Sequence, residues 1–213
     1  MLVPVPGPAS AALRHNVGKI SRPECEHGPS DVHNYAVTLT PERSAASTSV
    51  YTERLRLDIL SSAELHALMS QSRLPGWAED FPQPTDHDAA RQFFESGLNS
   101  VGHALGTRLI RESATGEVVG TIGFLLLPED GDVEVSYSVV PSRRRQGYAT
   151  EALTALARHA LDQAAVTRVI AYTERENAAS QSLLLTAGFL PVEIPGLGLG
   201  FVLQASQLPD ASL

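Results

Sequence analysis

Residues 141–151 of the chain read PSRRRQGYATE and lead into a predicted amphipathic helix. From Ala149 onward, apolar residues recur every three or four positions, a period that predicts a helix with one face against a core. The apolar stripe consists of Ala152, Leu153, Leu156, Ala157, Ala160 and Leu161. Gly147 therefore lies where this helix begins.

The start of this helix is a candidate anion-binding site. The first amides of a helix have no intrahelical partner and carry the positive end of the helix dipole, so a phosphate there can accept several hydrogen bonds. Gly147 has no side chain to block that approach. Arg143, Arg144 and Arg145 add positive charge and planar donors. A solvated basic loop before an ordinary helix is the alternative that this stretch alone leaves open.

The segments on either side of the helix both have strand character. Residues 132–140 alternate, with Val, Val, Tyr and Val at the odd positions from 133 to 139 and Glu, Ser and Ser at the even positions from 134 to 138. Residues 166–172 form a β-branched run typical of a buried strand. The pattern predicts a strand, helix, strand crossover that makes the two strands parallel.

The rest of the chain predicts further strands and helices around this unit. Additional strands are predicted at residues 55–59, 103–112, 117–127, 189–193 and 199–203. Additional helices are predicted to begin at Ser61 or Ser62, near Thr85 and after Asn177, the last one ending at Gly188. Residues 1–50 are rich in Pro, Ala, Ser and Gly and predict an arm, which leaves one domain at residues 51–208.

Composition excludes several classes of function. The net charge of −8 argues against general attraction to nucleic acid or to an anionic membrane surface. Cys25 is the only cysteine, so the chain has no intrachain disulfide and no cysteine-based metal cluster. No run approaches the ~20 apolar residues of a membrane span, and the first residues lack the basic start of a secretory signal. We expect a soluble cytoplasmic protein, monomer or homodimer, without a metal.

Three segments, in this order and spacing, resemble the GNAT superfamily of N-acetyltransferases. They are ERLRL at 53–57, the pattern [Q/R]-x-x-G-x-[G/A] as RRQGYA at 144–149, and NAAS at 177–180 with AGF at 187–189. The first and last segments resemble the Rim-like branch, which contains ribosomal-protein N-terminal acetyltransferases. The resemblance covers about residues 52–205. It implies an α+β fold with a mixed, mostly antiparallel sheet of six to seven strands and about four flanking helices.

The resemblance implies acetyl-coenzyme A as cosubstrate and direct acetyl transfer to a primary amine. A backbone N–H near Val139 or Val140 would polarise the thioester carbonyl. The cofactor-binding candidates are Val139, Val140, Arg144, Arg145, Gln146, Gly147, Tyr148, Ala149, Thr150 and Asn177. Purely structural roles are the alternatives, with Val139 in the core and Asn177 as a helix cap.

Two further side chains are candidates for proton transfer. An amine is mostly protonated at neutral pH, so a base must accept a proton, and Glu134 on the polar face of its strand is the candidate. An exposed strand carboxylate is the alternative. Many family members place a Tyr four residues before the Gly of the Gly-Phe pair, where this chain has Leu184. Ser180, or water, is then left as the donor to the departing thiolate.

The acceptor is the least determined part of this prediction. Trp77 and Phe81 lie in a loop that often walls the acceptor site in the family, and with Glu79 and Asp80 they would suit a cation. Packing of the loop is the alternative for both rings. The predicted acceptor is a small-molecule amine or a protein N-terminus. The alternative function is a non-catalytic sensor or interaction module that binds acyl-coenzyme A, which the missing Tyr favours.

Overall fold

The computed structural model describes residues 49–95, 103–125, 131–194 and 198–207. These residues form eight strands, namely β1 (Val50–Tyr51), β2 (Leu55–Ile59), β3 (Arg108–Glu112), β4 (Val118–Phe124), β5 (Asp132–Val139), β6 (Arg168–Thr173), β7 (Leu190–Ile194) and β8 (Gly198–Gln204). The α-helices are α1 (Ser62–Met69), α2 (Pro84–Glu95), α3 (Tyr148–Leu161) and α4 (Ala178–Thr186). The predicted arm at residues 1–50 lies almost entirely outside the described residues.

The strands form one mixed sheet in the order β1-β2-β3-β4-β5-β6-β8-β7. Only β5 and β6 are parallel, as the crossover predicts, and every other neighbouring pair is antiparallel. The α+β prediction is confirmed, with eight strands where six to seven were expected, because the two residues of β1 are too few to show alternation. Strand β3 begins only at Arg108, since Gly106 donates to the carbonyl of His103 in a preceding turn.

Local sequence signals account for the helix positions. The predicted stripe of α3 is buried along the sheet, except that Leu161 is only half-buried. Ser61 and Glu64 form a capping box at the start of α1. The side chain of Asn177 accepts a hydrogen bond of 3.1 Å from the Ser180 amide and thereby caps α4, as predicted.

Strand β5 separates the two helical layers. Its Ser138 hydroxyl contacts Asp86 of α2, whereas its Tyr137 side chain lies near Ser180 of α4. Since neighbouring residues of a strand point to opposite faces, α2 and α4 lie on opposite sides of the sheet.

Strands β5 and β6 separate before they end. Their residues pair only from Asp132 with Arg168 to Glu134 with Ile170, yet β5 continues to Val139 and β6 to Thr173. A wedge therefore opens between the carboxyl ends of two adjacent parallel strands. In open α/β arrangements, ligands commonly bind at such a gap.

The described residues contain neither a candidate membrane span nor a candidate metal cluster. None of the helices there has the length and apolar character to cross a membrane. No group of three or more His, Cys, Asp or Glu side chains in that part of the chain could hold a metal ion.

Candidate active site

A cleft of about 580 Å³ lies at the mouth of the wedge. It is lined by the end of β5, by the loop at 143–150 and by one face of α4. Tyr137, Ser138 and Val139 contribute the strand side, and Ala179, Ser180 and Leu183 contribute the helix side. The structure thus brings together the 144–150 loop and Ser180, which are more than thirty residues apart in sequence.

The backbone of β5 presents amides to this cleft. Val140 donates its N–H to the carbonyl of Val119, and Leu125 donates to the carbonyl of Glu134, so the even-numbered residues of β5 direct their backbone groups toward β4. Successive residues alternate in this respect, so the amides of Tyr137 and Val139 face the wedge. The prediction of Val140 as an oxyanion donor is therefore wrong, because its N–H is already bonded within the sheet.

The loop before α3 has the backbone geometry of an anion cradle. Gly147 is the N-cap of α3 with φ of +81°, and no side chain caps the helix. Arg145 also has positive φ, at +64°. The first amides of α3, those of Tyr148, Ala149 and Thr150, therefore keep their hydrogen-bonding capacity for a ligand. This arrangement agrees with the predicted roles of Gly147, Ala149 and Thr150.

Arg54, which is far from this loop in the sequence, contacts the loop and holds it in place. Its Nη1 donates to the carbonyl of Gln146 at 2.9 Å, and its Nε and Nη2 contact Glu151 of α3 at 2.7 and 2.6 Å. Its guanidinium also lies 4.9 Å from the ring centroid of Tyr148. Because a trans peptide is planar, a carbonyl of Gln146 turned toward Arg54 turns the N–H of Gly147 the other way.

The three arginines of the loop have different partners. Arg143 forms an ion pair of 3.0 Å with Glu117, and the Nε of Arg144 donates to the carbonyl of Val139 at 2.9 Å. Arg145 is exposed and makes no hydrogen bond or ion pair within the described ranges. Arg145 is therefore the loop cation whose charge is least compensated by the protein.

Two predicted cofactor residues of the loop act mainly through their backbone. The hydroxyl of Tyr148 is buried and donates to Glu112, so its side chain anchors the helix start to β3. Hydrogen bonds donated by Thr115, the larger cause, and by Tyr148 hold the pKa of Glu112 below its usual range. Gln146 is exposed, and its carbonyl accepts a hydrogen bond from Arg54.

Buried polar atoms at the other wall of the wedge lack partners. The Nδ2 of Asn177 and the Oγ1 of Thr173 are buried and make no hydrogen bond among the described residues. A buried polar group without a partner costs about 1–3 kcal/mol, and neither of these two residues is among those that line the cleft. Asn177 therefore has the capping role, and the cofactor-binding role predicted for it stays a prediction.

Glu134 lies on the polar face of β5 and is partly buried. Burial raises the pKa of its carboxyl to about 7. No hydrogen bond or ion pair of this carboxylate occurs within the described residues. Burial and the charge of Glu134 also raise the pKa of Tyr172, which places the Tyr172 phenol near this carboxylate. Glu134 does not line the cleft itself, since Ser138 is about 13 Å further along the strand.

Asp86 contacts Ser138, one of the residues that line the cleft. No sequence pattern predicted this role. This carboxylate is fully buried and accepts hydrogen bonds from Thr121, from the Gln83 amide and from Ser138. Burial raises the pKa of Asp86, and the hydrogen bonds from Ser138 and Thr121 oppose that rise. The Ser138 hydroxyl is thus held toward α2, which fixes the polar face of β5 at the mouth of the cleft.

The two aromatic rings predicted to wall the acceptor site are buried instead. Trp77 is 4% exposed and Phe81 is 1% exposed, and their rings pack edge to face with centroids 4.9 Å apart. In the same loop, Asp80 accepts hydrogen bonds from the amide and the hydroxyl of Ser142. The structure gives the rings a packing role, and direct contact with an acceptor stays an untested prediction.

Comparison with known proteins agrees with this geometry. A family model described as an acetyltransferase (GNAT) domain matches residues 54–190, which is more than half of the chain. The chain belongs to the GNAT acetyltransferase family. Its fold, an open mixed sheet with four helices in the described residues, is the GNAT fold that the sequence resemblance implied.

Two individual relatives show how much of the chain is similar to known proteins. YjdG of Bacillus subtilis, named as an uncharacterized N-acetyltransferase, is 40% identical over 75 residues, which are 35% of this chain and 45% of YjdG. The match thus spans about half the length of this curated relative. A Vibrio cholerae structure described as a candidate ribosomal-protein-serine acetyltransferase is 25% identical with a TM-score of 0.54, covering 75% of this chain and 98% of that one.

A third comparison concerns the fold alone. The structure of RimL, a ribosomal L7/L12 alpha-N-protein acetyltransferase in complex with coenzyme A, is 15% identical with a TM-score of 0.52. The match covers 74% of this chain and 98% of RimL. Neighbours with ribosomal-protein acetyltransferase names are consistent with the Rim-like resemblance.

Proposed function

We propose that this GNAT protein is an acetyl-coenzyme A dependent N-acetyltransferase that acts on a primary amine. The observation that carries the proposal is the wedge between β5 and β6, where free backbone donors of β5 meet the uncapped start of α3. A ligand with an anionic end and an amide-rich arm fits this arrangement. Coenzyme A has both, as a pyrophosphate and a pantetheine.

The loop and the wedge would hold different parts of coenzyme A. The amides from Gly147 to Thr150 would donate to the pyrophosphate, with Arg145 adding charge. The backbone groups of Tyr137 and Val139 would pair with the pantetheine, and the orphaned Nδ2 of Asn177 would donate to it from the other wall. When bound, the cosubstrate supplies an activated acetyl group as a thioester.

The residues of β5 would also serve the chemistry. The N–H of Val139 or Tyr137 would stabilise the oxyanion that forms at the thioester carbonyl. Glu134 would take the proton of the amine, and a carboxyl with a pKa of about 7 is well matched to a base at neutral pH. Because Glu134 lies outside the cleft lining, the proton would pass through water. Ser180 would place a hydroxyl in the same cleft from α4.

The acceptor class follows from the relatives by analogy. The Vibrio cholerae neighbour is described as a ribosomal-protein acetyltransferase, which supports a protein or peptide N-terminus, and a small-molecule amine fits the same chemistry. The single cysteine agrees with action in a reducing cytoplasm.

A thiol-release assay tests the proposed activity. The protein would be incubated with acetyl-coenzyme A and a panel of peptides with free N-termini, polyamines and amino-acid amides, and free thiol would be measured with a chromogenic disulfide. We expect thiol release that depends on one class of acceptor, with the acetylated product visible by mass spectrometry. Tight binding of acetyl-coenzyme A without acceptor-dependent thiol across the panel would instead support the non-catalytic sensor.

Arg54→Ala tests the brace behind the pyrophosphate loop. The side chain of Arg54 is 45% exposed, so its ion pair alone contributes little, but its loss frees the Gln146 carbonyl and the start of α3. We expect the Kd for coenzyme A to rise roughly tenfold, which corresponds to about 1.4 kcal/mol. Isothermal titration measures this change.

Arg56→Ala is the matched control for that variant. Arg56 is similarly exposed and forms an ion pair with Asp58 at 2.8 Å on the same strand, but it has no contact with the loop. Its coenzyme A affinity should stay within about twofold of the wild type. Equal weakening by the two variants would show that Arg54 acts through general stability or charge and not through the loop.

A further inference from the structure

The departing sulfur needs a proton donor, and the position that commonly supplies one in the family cannot do so here. Leu184 stands at that position and is fully buried in the core. A thiol has a pKa of ~8.5, so a thiolate leaves more readily when a nearby acid protonates it. Rapid acetyl transfer, as proposed above, therefore calls for a donor from another element.

Tyr137 reaches the same cleft from the opposite wall. It is 8% exposed, lines the cleft together with Ser180, and projects from the face of β5 that packs toward α4. Its phenol lies close enough to the Ser180 side chain for that hydroxyl to lower the pKa of the phenol. Two hydroxyls from two different elements thus meet inside the cleft that the thioester would enter.

Of the two hydroxyls, the phenol of Tyr137 is the stronger acid. Ser180 is itself fixed, because its amide donates to Asn177 in the first turn of α4. Serine is too weak an acid to protonate a thiolate unaided, whereas a phenol, with a pKa near 10, is a suitable donor. Burial raises the pKa of Tyr137, and the contact with Ser180 opposes that rise, so the phenol is protonated at neutral pH.

We propose that Tyr137 is the proton donor to the sulfur of coenzyme A, with Ser180 as the hydrogen-bond partner that positions its hydroxyl. The inference rests on the proposed acetyltransferase function. It extends that function by a residue of β5 that the sequence pattern placed on an apolar strand face without a further role. Tyr137 occupies the role left vacant by Leu184.

In the proposed acetyl transfer, one proton leaves the amine and one proton reaches the sulfur. The lone pair of the neutral amine forms a C–N bond at the thioester carbonyl, and the proton lost from nitrogen passes through water to Glu134. As the tetrahedral centre collapses, the electron pair of the C–S bond moves to sulfur. Sulfur takes the proton of the Tyr137 hydroxyl, and the phenolate accepts a hydrogen bond from Ser180. After product release, the phenolate regains a proton from water, and Glu134 returns one to water.

Tyr137→Phe tests this role by separating catalysis from binding. We expect kcat to fall about 100-fold, while the KM for acetyl-coenzyme A changes by less than about threefold, because the ring and the backbone donors remain. The double variant Tyr137→Phe/Ser180→Ala should lose no more than the single one, since the two hydroxyls act as a unit. Tyr51→Phe, at an exposed tyrosine of β1, is the control and should retain wild-type kcat.

A binding experiment provides a readout that does not depend on turnover. The affinities for coenzyme A and for dethio-coenzyme A, which lacks the sulfur, would be compared by titration at pH 8. The wild type should prefer coenzyme A, and Tyr137→Phe should lose that preference while binding dethio-coenzyme A normally. Thermal unfolding midpoints check that both proteins are folded.

The outcomes distinguish the two proposals. An active wild type with unchanged kcat and unchanged sulfur preference in Tyr137→Phe would overturn the role of Tyr137 and leave the acetyltransferase proposal intact. A wild type that binds coenzyme A without acceptor-dependent thiol release would overturn the acetyltransferase proposal. In that case, the sulfur preference still decides whether the Tyr137 hydroxyl faces the thiol.

Discussion

Replacing Gly147 with aspartate is expected to weaken the binding of coenzyme A by roughly 100-fold, because it removes hydrogen bonds to a charged group that contribute about 1.5–3 kcal/mol each. The new carboxylate stands at the uncapped start of α3, where it competes for the same amides as the pyrophosphate and repels it. A Cβ at this position also comes 3.3 Å from the Nη2 of Arg54, so the brace must shift. Titration with coenzyme A measures the loss.

Gly116→Asp is the matched control for this variant. Gly116 has φ of +75°, close to the value at Gly147, and a Cβ there meets no atom within 4 Å. It lies in the turn between β3 and β4, away from the cleft, so the substitution carries the same backbone strain and charge without touching the loop. Affinity should be preserved in this control. Wild-type affinity in Gly147→Asp would refute the placement of the pyrophosphate.

Replacing Glu134 with glutamine is expected to lower kcat by about 100-fold or more, because a positioned general base contributes about 10²–10⁴ in rate. Affinity for acetyl-coenzyme A should change little, since Glu134 does not line the cleft. Initial rates of thiol release at saturating acceptor measure the effect. Glu193→Gln, at an exposed carboxylate of β7, is the control and should retain wild-type rates.

The pH dependence of kcat/KM also tests Glu134 as the base. The base acts in its ionised form, and burial raises the pKa of Glu134 to about 7, so the wild-type kcat/KM should increase as the pH rises through about 7. Glu134→Gln should lose this inflection. A variant that keeps both the wild-type rate and the same inflection would remove Glu134 from the mechanism.

The folding stability contributed by Glu134 should fall as the pH rises, whereas kcat/KM should increase. The folded-state pKa of Glu134 lies above its unfolded value, so the native state holds this proton more tightly, and ionisation costs stability as the pH rises from about 4.5 to about 7. Above pH 7, glutamine relieves this cost, and Glu134→Gln should unfold at a denaturant concentration no lower than that of the wild type. A loss of activity at unchanged stability then reports on catalysis.

Local patterns in the sequence were sufficient wherever a structure is set by neighbouring residues. The apolar period after Gly147 fixed the buried face of α3, the alternation of β5 fixed its two faces, and Asn177 fixed the start of α4. The same segments carried the resemblance to the GNAT family, which the family match confirmed. Short elements escaped these patterns, as β1 shows with only two residues.

Residues whose roles depend on distant partners could not be assigned in this way. Arg54 meets Glu151 across 97 positions of sequence, and Asp86 meets Ser138 across 52. For Trp77 and Phe81 the sequence left open both a wall of the acceptor site and packing of the loop, and only the tertiary structure shows that both rings are buried. Val140 and Val139 are adjacent, yet the pairing of β5 with β4 uses the amide of one and leaves the other free.

Spacing along the chain alone accounts for the turn at residues 141–151, the helix that follows it and the family to which the chain belongs. The tertiary structure decided what surrounds that turn. It separates β5 from β6 beyond Glu134, leaves Arg145 without a protein partner in the described residues and brings Tyr137 against Ser180. The physical reason is that strand pairing and side-chain packing choose partners by position in space, which the order of residues does not specify locally.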